Sequence, residues 1–143
     1  MQTEQIKRFL EKVDRTFPVP LSKKQDLAQF AQKLQEKATL CAVENGGEVL
    51  SMTAGYTENL VNGLAYISIV ATVPEAQGNG YGERTVRAFL AACAQKHLRG
   101  VHLYAVAGNE PALSLYRKLG FEIWEMPDEP RPDDVHLIYY IQN

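Results

Sequence analysis

Apolar residues recur at helical spacing at Ile6, Phe9, Leu10 and Val13, and the period stops at Phe17-Pro18-Val19-Pro20. The two prolines remove backbone donors and fix φ, so a first amphipathic helix ends before them. Leu27, Phe30, Ala31, Leu34 and Ala38 define a second helical face, and Ser22 with Gln25 reads as a capping box at its start. The period then shortens to two. Segments 39–43 and 49–56 read as strands, and Asn45-Gly46-Gly47 between them has the chemistry of a hairpin turn. A central strand spans 64–72. After a glycine-rich stretch, Val86, Phe89, Leu90, Cys93 and Ala94 line one face of a helix over 81–97. A strand at 101–106, a helix at 110–119 and strands at 121–125 and 135–141 follow. The loop 126–134 is rich in proline and acid and has no period.

The junction between the central strand and the next helix carries the first chemical signal. Gly78, Gly80 and Gly82 alternate there, immediately around the helix start. Glycines let the backbone turn tightly and let a ligand approach it, and a helix start offers unpaired N–H groups at a positive dipole end. The arrangement predicts a site for a phosphate-bearing ligand. A nucleoside-triphosphate loop needs Lys and then Ser or Thr after its last glycine, but Glu83 and Arg84 follow Gly82. A dinucleotide fingerprint needs a third glycine where Glu83 stands, and a strand-borne acid about 20 residues further on. The chain there is still in helix or in the turn after it. Both readings fail.

A second segment, Asn109 to Phe121, reads as a short capped helix. Asn109 suits the N-cap, Pro111 the first turn and Gly120 the left-handed position after the last turn. Ala112, Leu115, Tyr116 and Leu119 share one face, which is expected to turn toward a core. Two patterns are now in place, Gln77-x-x-Gly80-x-Gly82 and Asn109-x-x-Ala112-x-x-x-Tyr116-x-Lys118-x-Gly120-Phe121. In this order, with the second preceded by a strand, they resemble the two hallmark motifs of the GCN5-related N-acetyltransferase (GNAT) family. The resemblance covers roughly the C-terminal two thirds of the chain; the N-terminal part fits in pattern but carries no motif.

The resemblance implies an α/β fold of the α+β type. It would be a single domain over 1–143, with a mixed, mostly antiparallel sheet, splayed central strands and flanking helices. The family's first strand would be weak here or replaced by the 17–21 segment. The implied co-substrate is acetyl-coenzyme A. Main-chain groups of Val70, Ala71 and Thr72 would hold the pantetheine arm and thioester. The amides of Gln77, Gly78, Asn79, Gly80, Tyr81, Gly82 and Glu83 would hold the pyrophosphate, and Asn109 would contact the arm near its thiol end. Tyr116 would protonate the departing thiolate, although a Tyr at helical spacing is also an ordinary core residue. Where family members with a dedicated base carry Glu or His, this chain has Tyr66, with Ser68 expected on the same face. Neither is a good base near neutral pH. Glu58, His102, Tyr104, Glu125 and His136 could border the acceptor cleft, but no base is identified, and a water relay or an already neutral amine is expected.

Composition changes the picture little. The chain has 143 residues, 45% hydrophobic and 22% charged, which suits one soluble globular domain. A formal net charge of −2 and no basic run give no electrostatic footprint for nucleic acid. Cys41 and Cys93 are read as buried reduced thiols, since neither disulfide nor metal spacing is present. The absence of a signal-like start or a membrane-length apolar run predicts a cytoplasmic protein away from the membrane. Glu122, Glu125, Asp128, Glu129, Asp133 and Asp134 surround the last loop with Arg131 the one base among them, an acidic rim that would concentrate a cationic amine or simply stay solvated. Apolar residues near Trp124 and Met126 leave a homodimer contact open. The expected function is transfer of acetyl to a primary amine of a small molecule or peptide by direct attack. The rivals are a non-catalytic coenzyme A-sensing domain and a carrier or polyamine binder without turnover.

Overall fold

The computed structural model describes residues 1–125 and 131–142. Helices α1 (Thr3–Val13) and α2 (Leu27–Lys37) precede a hairpin of β1 (Thr39–Asn45) and β2 (Glu48–Tyr56). The chain continues through β3 (Leu64–Thr72), α3 (Tyr81–Gln95), β4 (Gly100–Val106) and α4 (Glu110–Leu119), then β5 (Glu122–Ile123) and β6 (Asp134–Tyr140). Among the described residues no helix is long and apolar enough to cross a membrane.

The strands form one six-stranded sheet in the order β1-β2-β3-β4-β6-β5, antiparallel except between β3 and β4. Gly46 and Gly47, at φ 59° and 81°, turn the first hairpin as a two-residue loop that needs positive φ at both positions. Two cores lie on opposite faces of the sheet. Ile6, Phe9, Leu10, Phe30 and Leu34 from α1 and α2 cover Met52, Ala54, Ile69 and Ala71. On the other face Val86, Phe89 and Cys93 of α3, with Leu113, Tyr116 and Leu119 of α4, cover Ile67, Val101, Leu103 and Leu137.

Several expectations are corrected. Ser22 does not cap α2: its amide and hydroxyl both bond Asp14, at 2.8 and 2.7 Å, inside a 3₁₀ turn at Leu21–Lys23. Asp26 is the cap, accepting the Gln29 amide at 2.9 Å. The 17–21 segment is not a strand; its prolines cannot donate to a ladder, and it borders a cleft instead. The helix expected over 81–97 ends at Gln95, because His97 turns to φ 57°. The strand expected over 121–125 is only Glu122–Ile123, an edge piece whose side chains are exposed. On α4 the buried stripe is Leu113, Tyr116 and Leu119, so Leu113 replaces the half-buried Ala112 and Leu115 of the predicted face.

Cys93 is buried and Cys41 half-buried, both as free thiols. Burial, with a smaller contribution from the nearby Cys41, pushes Cys93 up to about 11, and burial alone raises Cys41. Since the thiolate is the reactive form, Cys93 should resist alkylation at neutral pH in the folded protein and react once it is denatured. Mass spectrometry after a timed iodoacetamide pulse checks this, and rapid labelling of native Cys93 would contradict its packing.

Candidate active site

The site begins where β3 and β4 part. Their parallel pairing is confined to Leu64↔Gly100, Ala65↔Val101 and Tyr66↔His102, while β3 runs on to Thr72 and β4 to Val106. Past Tyr66 the β4-facing edge of β3 therefore has no strand to complete its hydrogen bonds, and a buried edge of that kind must find another partner. On its other side β3 stays paired with β2 through Ser51↔Thr72, Met52↔Ala71 and Thr53↔Val70.

A bulge adjoins the splay. Between Ala54↔Ile69 and Gly55↔Ile67 the register slips, leaving Ser68 as an extra residue on β3. The side-chain alternation consequently breaks: Ile67 packs under α3 and α4, whereas Ile69, two residues on, packs under α1 and α2. The expectation that Tyr66 and Ser68 share a face assumed an alternation that the bulge interrupts, and both residues line the same cleft. Gly55, opposite the bulge, has no room for a side chain, since a Cβ there would run into the Tyr66 carbonyl and the Phe89 ring.

The glycine loop follows. Gly78 and Gly80 lie at φ 87° and 75°, and a Cβ at either would meet nothing within 4 Å. Glycine is needed there for conformation, and the space beside the backbone is open. Gly82 differs, being an ordinary helical residue in the first turn of α3. Side chains brace the loop from within. Gln77 Nε2 donates to the Thr72 carbonyl at 3.3 Å and Asn79 Nδ2 to the Ala76 carbonyl at 3.0 Å. Buried hydroxyls of Thr85 and Thr53, 2.9 Å apart, tie the helix start to the sheet, and Ser51 lies within 2.8 Å of Thr72 across β2 and β3. The first-turn amides of Tyr81, Gly82 and Glu83 have no intrahelical acceptor by helix geometry. The Glu83 side chain is spent elsewhere: Lys118 at 2.7 Å and then Arg87 at 3.1 Å hold its carboxyl below the usual range and link α3 to α4.

Helix α4 brings the other motif to the same opening. Asn109 takes the N-cap position but makes no side-chain cap bond, so its amide is not consumed by the helix. Gly120 ends the helix at φ 104°. Tyr116 is 7% exposed, its ring edge-on to Phe121 at 5.6 Å. Val70, Asn109 and Tyr116 line one cleft of about 310 Å³. Desolvation alone pushes the Tyr116 phenol well above its ordinary value, so it stays protonated at neutral pH.

The same cleft is bordered by Tyr66, Tyr104, Arg131, Asp134 and the 17–25 segment. Tyr104 alternates with Leu103 and Ala105, which pack under α3 and α4, so Tyr104 belongs to the opposite face of the sheet from Tyr116. The opening thus passes through the sheet. Behind Tyr66 stands an aromatic group that gathers His102, Tyr104 and His136, three of the expected cleft residues, with Trp124. His102 Nδ1 lies 2.9 Å from His136 Nε2, Tyr104 stacks on His136 at 4.1 Å, and Tyr66 lies 5.1 Å from His102. Trp124 packs on both imidazoles, at 5.8 and 4.8 Å. Glu58 is not in this group; it pairs with Lys96 at 3.4 Å. Of the proposed acidic rim, Asp134 reaches the cleft and Glu122 and Glu125 are exposed, while Asp128, Glu129 and also Met126 lie outside the described residues. Among the described residues the charged groups on the cleft wall are Lys24, Arg131 and Asp134. The sequence names His102 and His136 as candidates, but their contact with each other and the place of Arg131 over Tyr104 depend on the pairing of β4 with β6.

A sheet whose central strands splay, with a glycine-turned helix start following one of them, is an architecture suited to a coenzyme A-dependent acyltransferase. The model of the acetyltransferase (GNAT) family matches residues 6–121, and the chain belongs to that family. A mycothiol acetyltransferase of Pseudarthrobacter chlorophenolicus is 37% identical over 94 residues, covering 61% of this chain and 28% of that protein. The chain spans little more than a quarter of the length of such curated relatives. Among solved structures, a ribosomal-protein-alanine N-acetyltransferase from Brucella melitensis superposes with a TM-score of 0.77 at 14% identity, over 99% of this chain and 97% of that one. A Bacillus anthracis str. Ames protein, solved in complex with acetyl coenzyme A, has a TM-score of 0.61 at 17% identity, over 75% and 63% of the two chains. These findings favour an N-acetyltransferase over a coenzyme A sensor without turnover. The residues present fit acetyl-coenzyme A: open space beside Gly78 and Gly80, first-turn amides for phosphate oxygens, and an unpaired strand edge for the amide-bearing arm.

Proposed function

We propose that residues 1–143 form one acetyltransferase domain that moves an acetyl group from acetyl-coenzyme A to a primary amine of a small molecule or peptide. The observation that carries the reading is the β3–β4 splay, which opens a cleft lined by Val70, Asn109 and Tyr116 together with Tyr104, Arg131 and the 17–25 segment; the glycine loop follows the end of β3 outside that lining. When bound, acetyl-coenzyme A supplies the acyl group as a thioester; a nitrogen–carbon bond forms, the carbon–sulfur bond breaks, and the nitrogen loses a proton while the sulfur gains one. Gly78, Gly80 and the first-turn amides of α3 bind the pyrophosphate. Main-chain groups of Val70, Ala71 and Thr72 orient the arm, and Asn109 fixes its thiol end. A backbone donor aimed at a developing oxyanion is worth about 2.7–4 kcal/mol in the transition state. Tyr116, protonated because it is buried, donates its hydroxyl proton toward sulfur and is reprotonated from solvent. The substrate of the curated mycothiol acetyltransferases does not carry over, because only part of those proteins matches.

The test is thiol release from acetyl-coenzyme A with a panel of amines, followed by product mass. An acetylated amine and stoichiometric thiol are expected; release of thiol with no amine modified would refute the reading. Coenzyme A should also raise the melting temperature, because a ligand that binds only the native state stabilises by mass action. At a hundredfold over its dissociation constant the gain is about 2.7 kcal/mol. NADH and ATP should give smaller shifts, and an equal shift with NADH would contradict the loop assignment.

A further inference from the structure

We propose that the acceptor is a small amine that also carries a carboxylate, and that Arg131 is the residue that reads the carboxylate. This inference rests on the acetyl-transfer reading above and deepens its acceptor half. Its starting point is the charge on the cleft wall. Among the described residues, a purely cationic amine in the cleft would meet Lys24 and Arg131 against one carboxylate, Asp134. That excess of positive charge suits a molecule with an anionic group.

The Arg131 guanidinium is held ready for such a group. Its central carbon lies 4.0 Å from the Tyr104 ring centroid, and Tyr104 is itself stacked on His136 with an interplanar angle of 17°. A guanidinium carbon this close to the ring leaves peripheral N–H groups for a carboxylate, which an arginine fork can match bidentately. Asp134 does not use up those groups, since its nearest oxygen is 3.9 Å from Nη1, beyond hydrogen-bond range. The Arg131 side chain is 49% exposed, so a ligand can reach it from solvent. Lys24 lies on the same cleft wall, where the 17–25 segment borders the opening, and makes no ion pair among the described residues. A cleft of about 310 Å³ that must also admit the arm of the acyl donor leaves room for a small acceptor rather than a folded one.

The experiment compares free amino acids with their carboxamides, which keep the amine and remove the charge, in wild type, Arg131→Ala and Arg131→Lys. Wild type should prefer the acids. Arg131→Ala should raise KM for the acids roughly ten- to a hundredfold, the loss expected for a bidentate charged contact, and leave kcat and the carboxamide kinetics unchanged. Arg131→Lys should recover part of the loss, because it keeps the charge without the planar fork. Retention of the coenzyme A-dependent melting shift in each variant establishes that it is folded. Equal use of acids and carboxamides by wild type, equal slowing of both by Arg131→Ala, or a preference for peptides with amidated C-termini would overturn the inference while acetyl transfer stands. No acetylation of any amine would instead overturn the acetyl-transfer reading, and this inference with it.

Discussion

Gly80→Val should abolish coenzyme A binding in a protein that still folds. Gly80 is the residue before α3, at φ 75° and ψ 14°. A left-handed conformation costs an ordinary L-residue roughly 1–2 kcal/mol, and a β-branched one is less tolerant still. Nothing in the protein lies within 4 Å of a Cβ at this position, so the substitution creates no internal clash and the loop bears the strain alone. It can relieve the strain by rotating the peptide that aims the first-turn amides, or keep the turn and place two methyl groups in the open space beside them. Either response removes the anion site. Calorimetry should show affinity lost beyond detection, with the far-ultraviolet spectrum and a cooperative melt retained. Gly80→Ala should lie between, since it carries the strain without branching. Unchanged affinity in a folded Val variant would show that the pyrophosphate binds elsewhere.

The contrast between the two sides of the cleft follows from how each is built. The cofactor side is local in sequence. Strand Leu64–Thr72 and helix Glu110–Leu119 have the predicted bounds because apolar periodicity, Asn109, Pro111 and Gly120 act within a few residues of one another. Gly78 and Gly80 signal a left-handed backbone directly, since few other residues adopt it readily. The Ser68 bulge left no such mark. It is set by the register against β2, and its clearest correlate, Gly55, is distant in sequence and looks like any strand glycine. The capping of α2 was misread for a related reason, because Ser22 spends its hydroxyl on Asp14 in the preceding turn and Asp26 takes over. The acceptor side is harder again. Tyr66, His102, Tyr104 and His136 come from three strands, and Arg131 from the loop before β6, so only the sheet order brings them together.

Tyr116→Phe removes one hydroxyl and keeps the ring, which separates packing from chemistry. The ring contact with Phe121 and the place between Leu113 and Leu119 should survive, so stability near neutral pH should shift only modestly. If the hydroxyl donates a proton to the leaving sulfur, turnover should fall by about 10²–10⁴-fold, the usual range for a general acid. A thiolate whose conjugate acid has a pKa of roughly 8.5 leaves tolerably well without help, which places the expected drop toward the lower end. Affinity for coenzyme A should change little, because the loop and strand edge proposed to bind it are untouched. Burial also predicts how pH acts on this residue. The folded pKa lies above the unfolded value near 10, so the phenol is protonated in both states below that pH. Above it the unfolded chain releases a proton that the folded chain retains, and stability falls as pH rises. Wild type should therefore lose stability above about pH 10 more steeply than Tyr116→Phe, while Tyr116 ionisation gives no falling limb in its rate profile below that pH. Steady-state kinetics on an accepted amine, calorimetry with coenzyme A and melts across pH 8 to 11 check the three parts. Wild-type turnover in the Phe variant would make Tyr116 a packing residue and leave the leaving thiolate without an acid from this chain.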